Sequence, residues 1–224
     1  CYHFQYQPTY YKLHPNGEFP TLDGKRANAT TKYNKEDPEL YEKDVDINLR
    51  VLLDIYKEFD EPPAWHNKVF LDIETEMGGA INLFYCQNAP VKVTAIALYD
   101  DNSKEYFVYV LDESMNLQPS SNNHRNIIPC KNEKILLQLF LDQWRILDPT
   151  LCISWNGDGF DIPYLYNRLK RILGESKANT LSPIGIVKFD EFDSLMPYKI
   201  AGITSLDYMR LYKKFIPKQQ PSYS

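Results

Sequence analysis

The sequence lacks an apolar run long enough to span a membrane, and it does not begin with the pattern of a signal peptide. Its four cysteines are widely scattered, and no two of them have the spacing of zinc ligands. Its four histidines are equally dispersed, which argues against a histidine-based nucleophile or metal centre. We therefore expect no membrane association, no zinc site, and free thiols in a reducing compartment.

The ends of the chain lack the usual marks of a complete protein. The first residue is Cys1 rather than Met, and the last residues, QQPSYS, follow without closing a helix or a strand. We therefore expect the chain to be an internal piece of a longer protein.

Charge is unevenly distributed along the chain. The formal net charge is −5, which by itself does not suggest a nucleic-acid partner. Residues 165–224, however, contain ten Lys and Arg against five Asp and Glu, so this segment carries +5 and the remainder −10. An acidic region beside a basic flank suits a metal-dependent enzyme that acts on a polyanion, although a solvated basic helix face would give the same pattern.

Turn signals and helical spacing organise the start of the chain. Two turn dipeptides, NG and DG, lie within residues 15–25, so residues 1–45 are predicted to form short strands joined by turns. Residues 46–59 carry apolar side chains at helical spacing, and Asp46 is suited to cap that helix.

The stretch DEPPAW, residues 60–65, predicts a rigid linker because it contains two adjacent prolines. We therefore place a domain boundary near residue 66. Residues 1–66 are predicted to form part of a small β-rich domain, and residues 67–224 a second domain.

The second domain shows strands first and a strand–helix alternation later. A strand from residue 68 and a loop through Gly78 and Gly79 precede a predicted β-hairpin, and a polar loop extends from the hairpin to about residue 131. The strands of the hairpin are predicted at residues 91–100 and 104–112. A helix at 135–147, a strand at 151–155 and a second helix at 162–174 are predicted to follow. This order implies an α/β fold with a mixed sheet flanked by helices.

The stretch KVFLDIETEMGG, residues 68–79, has the composition of a buried strand interrupted by two acids. Asp72 and Glu74 stand two residues apart, and residues two apart in a strand point to the same face of the sheet. The sequence therefore predicts two carboxylates side by side at the end of an apolar strand. A solvent-facing edge of the sheet is the alternative, and the apolar residues on both sides of the acids argue against it.

A third acid lies in SWNGDGFDIPYL, residues 154–165, where a strand and a turn lead into a helix. Pro163 supports a helix start at this point, so Asp161 could serve simply as an N-cap. Active sites also assemble where strands end at one edge of an α/β sheet. Asp161 lies at such an end, as do Asp72 and Glu74.

Three carboxylates at one sheet edge repel each other unless cations neutralise them. Hard oxygen ligands select Mg²⁺ or Mn²⁺. Two such ions, about 3.5–4 Å apart, can activate a water molecule and stabilise the leaving oxygen in phosphodiester hydrolysis. Asp72, Glu74 and Asp161 are therefore candidate ligands of two divalent metal ions.

Both acidic motifs resemble those of a known enzyme family. FLDIETE resembles the first exonuclease motif of family B DNA polymerases, Asp-x-Glu, and NGDGFD resembles the second, Asn-x-x-x-Phe-Asp. The segments SPIGIVK (182–188) and LDYMRLYKKF (206–215) look like those that follow in replicative polymerases of the T-even bacteriophage type. The resemblance covers residues 66–224 well and residues 1–65 more loosely.

This resemblance implies a proofreading 3′→5′ exonuclease domain with a ribonuclease H-like fold, in the N-terminal part of a viral DNA-directed DNA polymerase. Two divalent ions, Mg²⁺ or Mn²⁺, would be held by Asp72, Glu74 and Asp161. Asn156 and Phe160 would lie near the terminal nucleotides of single-stranded DNA.

Other expectations follow from the same resemblance. The segment Gly185–Ile203 would form the hairpin that helps to separate primer from template. The partners would be DNA and a sliding clamp, with the clamp bound through a C-terminal region outside this sequence. The protein would act inside an infected host cell.

The chain departs from the family pattern because no Tyr-x-x-x-Asp, the third exonuclease motif, follows the second motif in the sequence. That motif would supply a fourth carboxylate and a tyrosine that orients water. Asp207 does not replace this acid, because the family's acid at that position precedes LYKKF and is not a ligand. We expect a domain truncated before its third motif that trims DNA weakly or not at all on its own.

Two other functions fit part of the pattern. A stand-alone exonuclease of the same acidic superfamily would need a fourth acid, and it would not explain LYKKF. A non-catalytic nucleic-acid-binding module with a degenerate nuclease fold is the second alternative. The intact set of Asp72, Glu74 and Asp161 argues against it.

Overall fold

The structure is a computed structural model that describes residues 5–56, 66–79 and 82–216. The chain forms two compact units, Cys1–Ala64 and Trp65–Ser224. Across the described ranges, no helix combines the length and the apolar character needed to cross a bilayer.

The first unit is a small antiparallel sheet followed by a helix. Its elements are β1 (Tyr10–Leu13), β2 (Phe19–Pro20), β3 (Arg26–Thr30), β4 (Leu40–Tyr41) and α1 (Ile47–Tyr56). The strand order is β2-β3-β1-β4. The short strands predicted for residues 1–45 are confirmed. The helix predicted over residues 46–59 is confirmed for Ile47–Tyr56, and its last residues and the predicted linker lie outside the described ranges.

The second unit is built on a mixed sheet. Its elements in chain order are β5 (Lys68–Thr75), α2 (Leu83–Asn88), β6 (Val93–Asp100), β7 (Glu105–Leu111), β8 (Ser120–Asn122), β9 (Arg125–Cys130), α3 (Glu133–Leu147), β10 (Leu151–Ser154), α4 (Asp161–Leu173), α5 (Glu175–Ala178), β11 (Val187–Phe189), β12 (Tyr198–Ile200), β13 (Thr204–Asp207) and α6 (Tyr208–Phe215). A single 3-10 turn, Asn179–Leu181, follows α5.

Seven of these strands form the main sheet, in the order β13-β10-β5-β6-β7-β9-β8, and β11 pairs with β12 separately. Strand β10 runs parallel to both β5 and β13, and β7 runs parallel to β9. The β5–β6, β6–β7 and β8–β9 pairs are antiparallel. The predicted α/β fold, a mixed sheet flanked by helices as expected for a ribonuclease H-like exonuclease domain, is confirmed.

The main core lies between the sheet and the helices α3 and α4. In β5, the alternate residues Val69, Leu71 and Ile73 are buried in this core. Trp144 of α3 and Tyr164 of α4 supply large buried rings. Alternation with a period of two therefore sends every second residue of β5 toward the helices.

The prediction that β5 is a buried strand is correct for only one of its two faces. Phe70 is 41% exposed, and Asp72 and Glu74 on the same face are exposed as well. Strand β5 is nevertheless an interior strand, because β10 pairs with one side of it and β6 with the other. The alternative, a solvent-facing edge of the sheet, is thus correct in that Asp72 and Glu74 are exposed. It is wrong in that β5 is not an edge strand.

A buried ion pair joins α3 to α4. Glu133 and Arg168 are 7% and 6% exposed, and two hydrogen bonds of 2.7 and 2.6 Å connect the guanidinium to the carboxylate. Glu133 also accepts a hydrogen bond of 2.8 Å from the amide of Val93, and Arg168 donates one of 2.9 Å to the carbonyl of Ala89. The pair therefore connects both helices to the segment that runs from the end of α2 to the start of β6.

Three short elements differ from the sequence prediction. The predicted polar loop that ends near residue 131 contains β8 and β9. The loop through Gly78 and Gly79 leads into α2 before it reaches the hairpin. Helix α2 begins after Asn82, whose side chain accepts a hydrogen bond from the amide of Tyr85 at 2.8 Å.

Candidate active site

Asp161 is the first residue of α4 and is 3% exposed. Its carboxylate Oδ1 accepts a hydrogen bond of 3.1 Å from the backbone amide of Ile73. Ile73 stands between Asp72 and Glu74, in the part of β5 beyond its pairing with β10, which ends at Phe70. The start of α4 is therefore docked against the strand segment that carries the two predicted acids.

The structure does not show Asp161 acting as an N-cap. The N-cap position is Phe160, which makes no capping hydrogen bond with its side chain. Asp161 instead uses its carboxylate to bridge from α4 to the backbone of β5. Its placement is thus explained by contact with the neighbouring strand rather than by helix initiation.

The carboxylate of Asp161 lies close enough to Asp72 to be affected by its charge. Burial, and then the charge of Asp72, raise the pKa of Asp161 to about 7. The pKa of Asp72 is also raised, because its carboxyl group is partly desolvated although the residue is exposed. Within the described part of the chain, neither carboxylate forms an ion pair. Two such oxygen donors fit a hard divalent cation, which would favour the ionised form of both.

Glu74 does not join these two acids in one compact group. Among the described residues, no three acidic, histidine or cysteine side chains lie close enough together to hold a metal ion. Glu74 is exposed on the same strand face as Asp72, beside an irregularity in the β5–β6 pairing between Glu74 and Thr75. The structure thus brings Asp72 and Asp161 together and keeps Glu74 on the same strand.

Asp72 lines an apolar groove of about 330 Å³ over the exposed face of the sheet. Sequence reasoning did not single out this groove, although Phe70 precedes Asp72 by two residues and therefore shares its strand face. Aromatic surfaces of this kind can stack on nucleobases or pack against another apolar segment. The aromatic residues that line the groove are Phe70, Tyr99, Tyr106, Trp155 and Tyr208.

The NGDGFD stretch forms a tight turn between β10 and α4. Asn156 adopts a left-handed backbone with a φ of 62°, and its N–H donates a hydrogen bond of 3.2 Å to Oδ1 of Asp207. Gly157 packs against Ser154 so closely that a Cβ at Gly157 would lie 1.6 Å from the serine Oγ. Asn156 is therefore held in a constrained conformation five residues before Asp161.

Phe160 immediately precedes Asp161, but its ring belongs to the edge of the core. It is half-buried, and its ring centroid lies 5.4 Å from that of Tyr164. The predicted role of Phe160 near the terminal nucleotides stays a prediction, as does that of Asn156.

Asp158, in the middle of the turn, was not among the predicted site residues. It is 5% exposed, and its carboxylate accepts hydrogen bonds from Ser205 Oγ at 2.6 Å and from Arg210 Nη1 at 2.7 Å. Burial raises the pKa of Asp158, while the Ser205 hydroxyl and the Arg210 guanidinium act in the opposite direction. These partners lie 47 and 52 residues further along the chain, so no local pattern reveals them.

Asp207 acts as the N-cap of α6. Its Oδ1 accepts hydrogen bonds from the amide of Arg210 at 3.3 Å and from the amide of Asn156 at 3.2 Å. A capping role explains the buried position of Asp207 without a metal ion.

The segment Gly185–Ile203 is predicted to form a hairpin, and the hairpin is confirmed, whereas its role in separating primer from template stays a prediction. Strands β11 and β12 pair in antiparallel fashion. In the turn between them, Phe192 is 88% exposed, and Asp193 forms an ion pair of 2.9 Å with Lys199. The hairpin therefore presents an aromatic side chain at its exposed end.

Comparisons with known proteins identify a family. A family model of the DNA polymerase family B exonuclease domain matches residues 8–224. The DNA-directed DNA polymerase of Escherichia phage RB69 is 43% identical over 101 residues, which are 43% of this chain and 11% of that protein. The DNA-directed DNA polymerase of Enterobacteria phage T4 is 41% identical over 101 residues, again 43% of this chain and 11% of the relative.

A more distant relative comes from an insect virus. The DNA polymerase of Choristoneura fumiferana nuclear polyhedrosis virus is 25% identical over 115 residues, which are 50% of this chain and 12% of that protein. The chain thus spans only 11–12% of the length of these curated relatives. The resemblance to family B polymerases of the T-even phage type is confirmed. Because the family match extends over nearly the whole sequence, the chain belongs to DNA polymerase family B, as its exonuclease domain.

Proposed function

We propose that the chain is the proofreading part of a viral DNA-directed DNA polymerase, and that it removes nucleotides from single-stranded 3′ primer ends by hydrolysis. The observation that carries this proposal is the hydrogen bond from Ile73 to Asp161, beside Asp72. This contact unites the first and second acidic motifs, which are 88 residues apart in the chain. The family match supports the same activity.

The residues proposed to hold two divalent ions, Mg²⁺ or Mn²⁺, are Asp72 and Asp161, which lie close together, and Glu74, which lies on the same strand face as Asp72. Such ions, when bound, supply an activated water and stabilise the leaving oxygen of the terminal phosphodiester. The chain contributes by fixing its ligands. The amide of Ile73 occupies Oδ1 of Asp161 at 3.1 Å, which orients the carboxylate.

DNA would approach the acids past the turn before α4. Asn156 and Phe160 are proposed to lie near the terminal nucleotides, because they belong to the turn that delivers Asp161. The β11–β12 hairpin, with Phe192 exposed, is proposed to help separate primer from template. The net positive charge of residues 165–224 would offset the charge of the phosphates.

The proposal extends to the protein of which this domain forms part. A third motif would supply the fourth carboxylate and the water-orienting tyrosine, so we expect the chain alone to trim DNA weakly or not at all. Polymerisation and binding of a sliding clamp would be carried out by other regions. From the phage relatives we propose that the protein acts inside an infected host cell.

The first prediction concerns stabilisation by metal ions. An ion that binds only the folded chain stabilises it by RT ln(1 + [L]/Kd), about 2.7 kcal/mol at a concentration of 100 times Kd. We expect the melting temperature of the wild-type chain to rise during a MgCl₂ or MnCl₂ titration. Asp72→Asn should lose this rise, because a neutral amide is a poor ligand for a hard cation. Scanning calorimetry measures the melting temperature of both proteins.

The matched control is Asp142→Asn, which removes one carboxylate from an exposed position of α3 and should keep the full rise. If the melting temperatures of wild type and of Asp72→Asn both stay unchanged when metal ions are added, the result would favour the non-catalytic binding module. A parallel assay follows the shortening of a single-stranded oligonucleotide in MnCl₂. Efficient trimming by the chain alone would contradict the expectation of weak activity.

A further inference from the structure

The turn that delivers Asp161 is fastened to a part of the chain about fifty residues away. Asp158, in this turn, has 4% of its side chain exposed, and its Oδ2 lies 2.7 Å from Nη1 of Arg210 in α6. Its Oδ1 accepts a hydrogen bond of 2.6 Å from Ser205 in β13. Both oxygens of a buried carboxylate are thus occupied by donors from one strand–helix unit.

A second contact between the same two regions lies nearby. Strands β10 and β13 are parallel, and their register places Ser154 beside Asp207 at the strand ends. Oδ1 of Asp207 accepts hydrogen bonds from the amides of Asn156 and Arg210. The β13–α6 unit therefore forms hydrogen bonds with the turn at two positions, Asn156 and Asp158.

Backbone hydrogen bonds span the turn that contains Asp158 and leads to Asp161. The amides of Gly159 and Phe160 both donate to the carbonyl of Asn156, at 3.1 and 2.9 Å. The amide of Ile162, which follows Asp161, donates to the carbonyl of Gly157 at 2.9 Å. Residues 156–162 are thus linked to one another by backbone hydrogen bonds.

We propose that the Asp158–Arg210 ion pair positions Asp161 against β5, and that Asp158 and Arg210 are positioning residues of the exonuclease site. The inference rests on the proposed function, because Asp161 matters as a metal ligand. Loss of the guanidinium would leave the buried carboxylate of Asp158 without its cation. The turn would then shift to expose that carboxylate to water, and Asp161 would move with it.

Four variants test the pair. Arg210→Met keeps most of the side-chain volume and removes the charge, whereas Arg210→Lys restores a cation. Ser205→Ala is a milder change that removes one hydrogen bond to Asp158. Lys214→Met is the matched control, since it removes a positive charge from an exposed position of the same helix.

Two measurements on the whole chain report on the conformation of the turn. Hydrogen exchange reports on the amides of Phe160 and Ile162, and electron paramagnetic resonance measures bound Mn²⁺. In Arg210→Met we expect exchange of these amides to accelerate and Mn²⁺ affinity to fall about tenfold, as for other groups that orient metal ligands. Ser205→Ala should shift both readouts in the same direction by less, Arg210→Lys should recover most of both losses, and Lys214→Met should match wild type.

The opposite result is equally clear. If Arg210→Met only lowers the melting temperature, and its turn exchange and Mn²⁺ affinity equal those of Lys214→Met, the pair is structural and the proposal is overturned. If the wild-type chain binds no Mn²⁺, the proposed function fails on its own. Hydrogen exchange at Phe160 and Ile162 in Arg210→Met then tests whether the ion pair positions the turn. Acceleration confined to the turn supports this role, and unchanged exchange refutes it.

Discussion

The turn before α4 depends on Gly157, where a side chain has no room. A Cβ at Gly157 would lie 1.6 Å from the Oγ and 2.6 Å from the Cβ of Ser154. Ser154 is 5% exposed, and within the described part of the chain its hydroxyl has no hydrogen-bond partner. The close approach of these two residues therefore shapes the turn that presents Asn156 and Asp161.

Gly157→Ala should destabilise the chain by about 1–3 kcal/mol, because overpacking a filled site forces neighbouring groups to move. Urea denaturation measures this loss. Adding Ser154→Gly removes both clashing atoms and should recover part of it. Gly79→Ala is the control, since a Cβ there would meet its nearest atom at 3.8 Å. Equal stability of Gly157→Ala and Gly79→Ala would show that the turn relaxes freely.

At the level of single residues, the sequence locates the acids but not the contacts that hold them. Strand alternation and the strand–turn–helix context point to Asp72 and Asp161. The hydrogen bond from Ile73 to Asp161 depends on how far along β5 the helix docks, which no local pattern determines. Asp158 and Arg210 are 52 residues apart, and pairing over such a distance is set by the topology of β10 and β13.

At the level of elements, α3 and α4 meet through the buried pair of Glu133 and Arg168. Arg168→Met would leave the carboxylate of Glu133 buried without a cation, which costs about 3–5 kcal/mol in comparable pairs. We expect a loss of this size in the free energy of unfolding, measured in urea. Replacing Glu133 by Leu in the same chain should restore much of it, because an apolar pair carries no buried charge.

The control for this experiment is an exposed ion pair. Lys104 contacts Asp101 at 2.6 Å, but 61% of the lysine side chain is exposed. Lys104→Met should therefore cost less than about 1 kcal/mol. An Arg168→Met variant no less stable than Lys104→Met would mean that water reaches Glu133 and that the pair does not hold the helices.

Helices and strands with a clear hydrophobic periodicity were predictable from the sequence. Those that depend on pairing with a strand distant in the sequence, or that are too short to show a period, were not. Helix α3 was predicted from its apolar spacing, although two of its apolar residues, Ile135 and Leu139, are 41% and 37% exposed. Strand β9, RNIIPC, contains Pro129 and few alternating residues, and it forms by parallel pairing with β7. Helix α2 is too short to show a helical period.

At the scale of the whole molecule, each unit has a core of its own. The first unit buries Tyr10, Ala27 and Leu40 within its sheet. Arg50 of α1 donates to the carbonyl of Thr9 at 2.8 Å and lies 4.6 Å from the ring centroid of Tyr10. The second unit buries its residues between the main sheet and α3 and α4. Separate cores indicate that each unit can fold without the other.

Residues 65–224 produced alone should therefore fold cooperatively. Their melting temperature should lie within about 3 °C of the transition that the same unit shows in the whole chain, since a change of 1 kcal/mol moves the midpoint by about 2–4 °C at this size. The response to Mg²⁺ should also persist, because Asp72, Glu74 and Asp161 all lie in this unit. Scanning calorimetry of the fragment and of the whole chain makes the comparison.

Residues 76–224 provide the control, because they lack β5. That strand lies between β10 and β6 and contributes Val69, Leu71 and Ile73 to the core, so its removal should abolish the cooperative transition. If residues 65–224 behave like this control, the second unit needs the first in order to fold. The predicted division near residue 66 would then mark a boundary between two parts of a single cooperative structure.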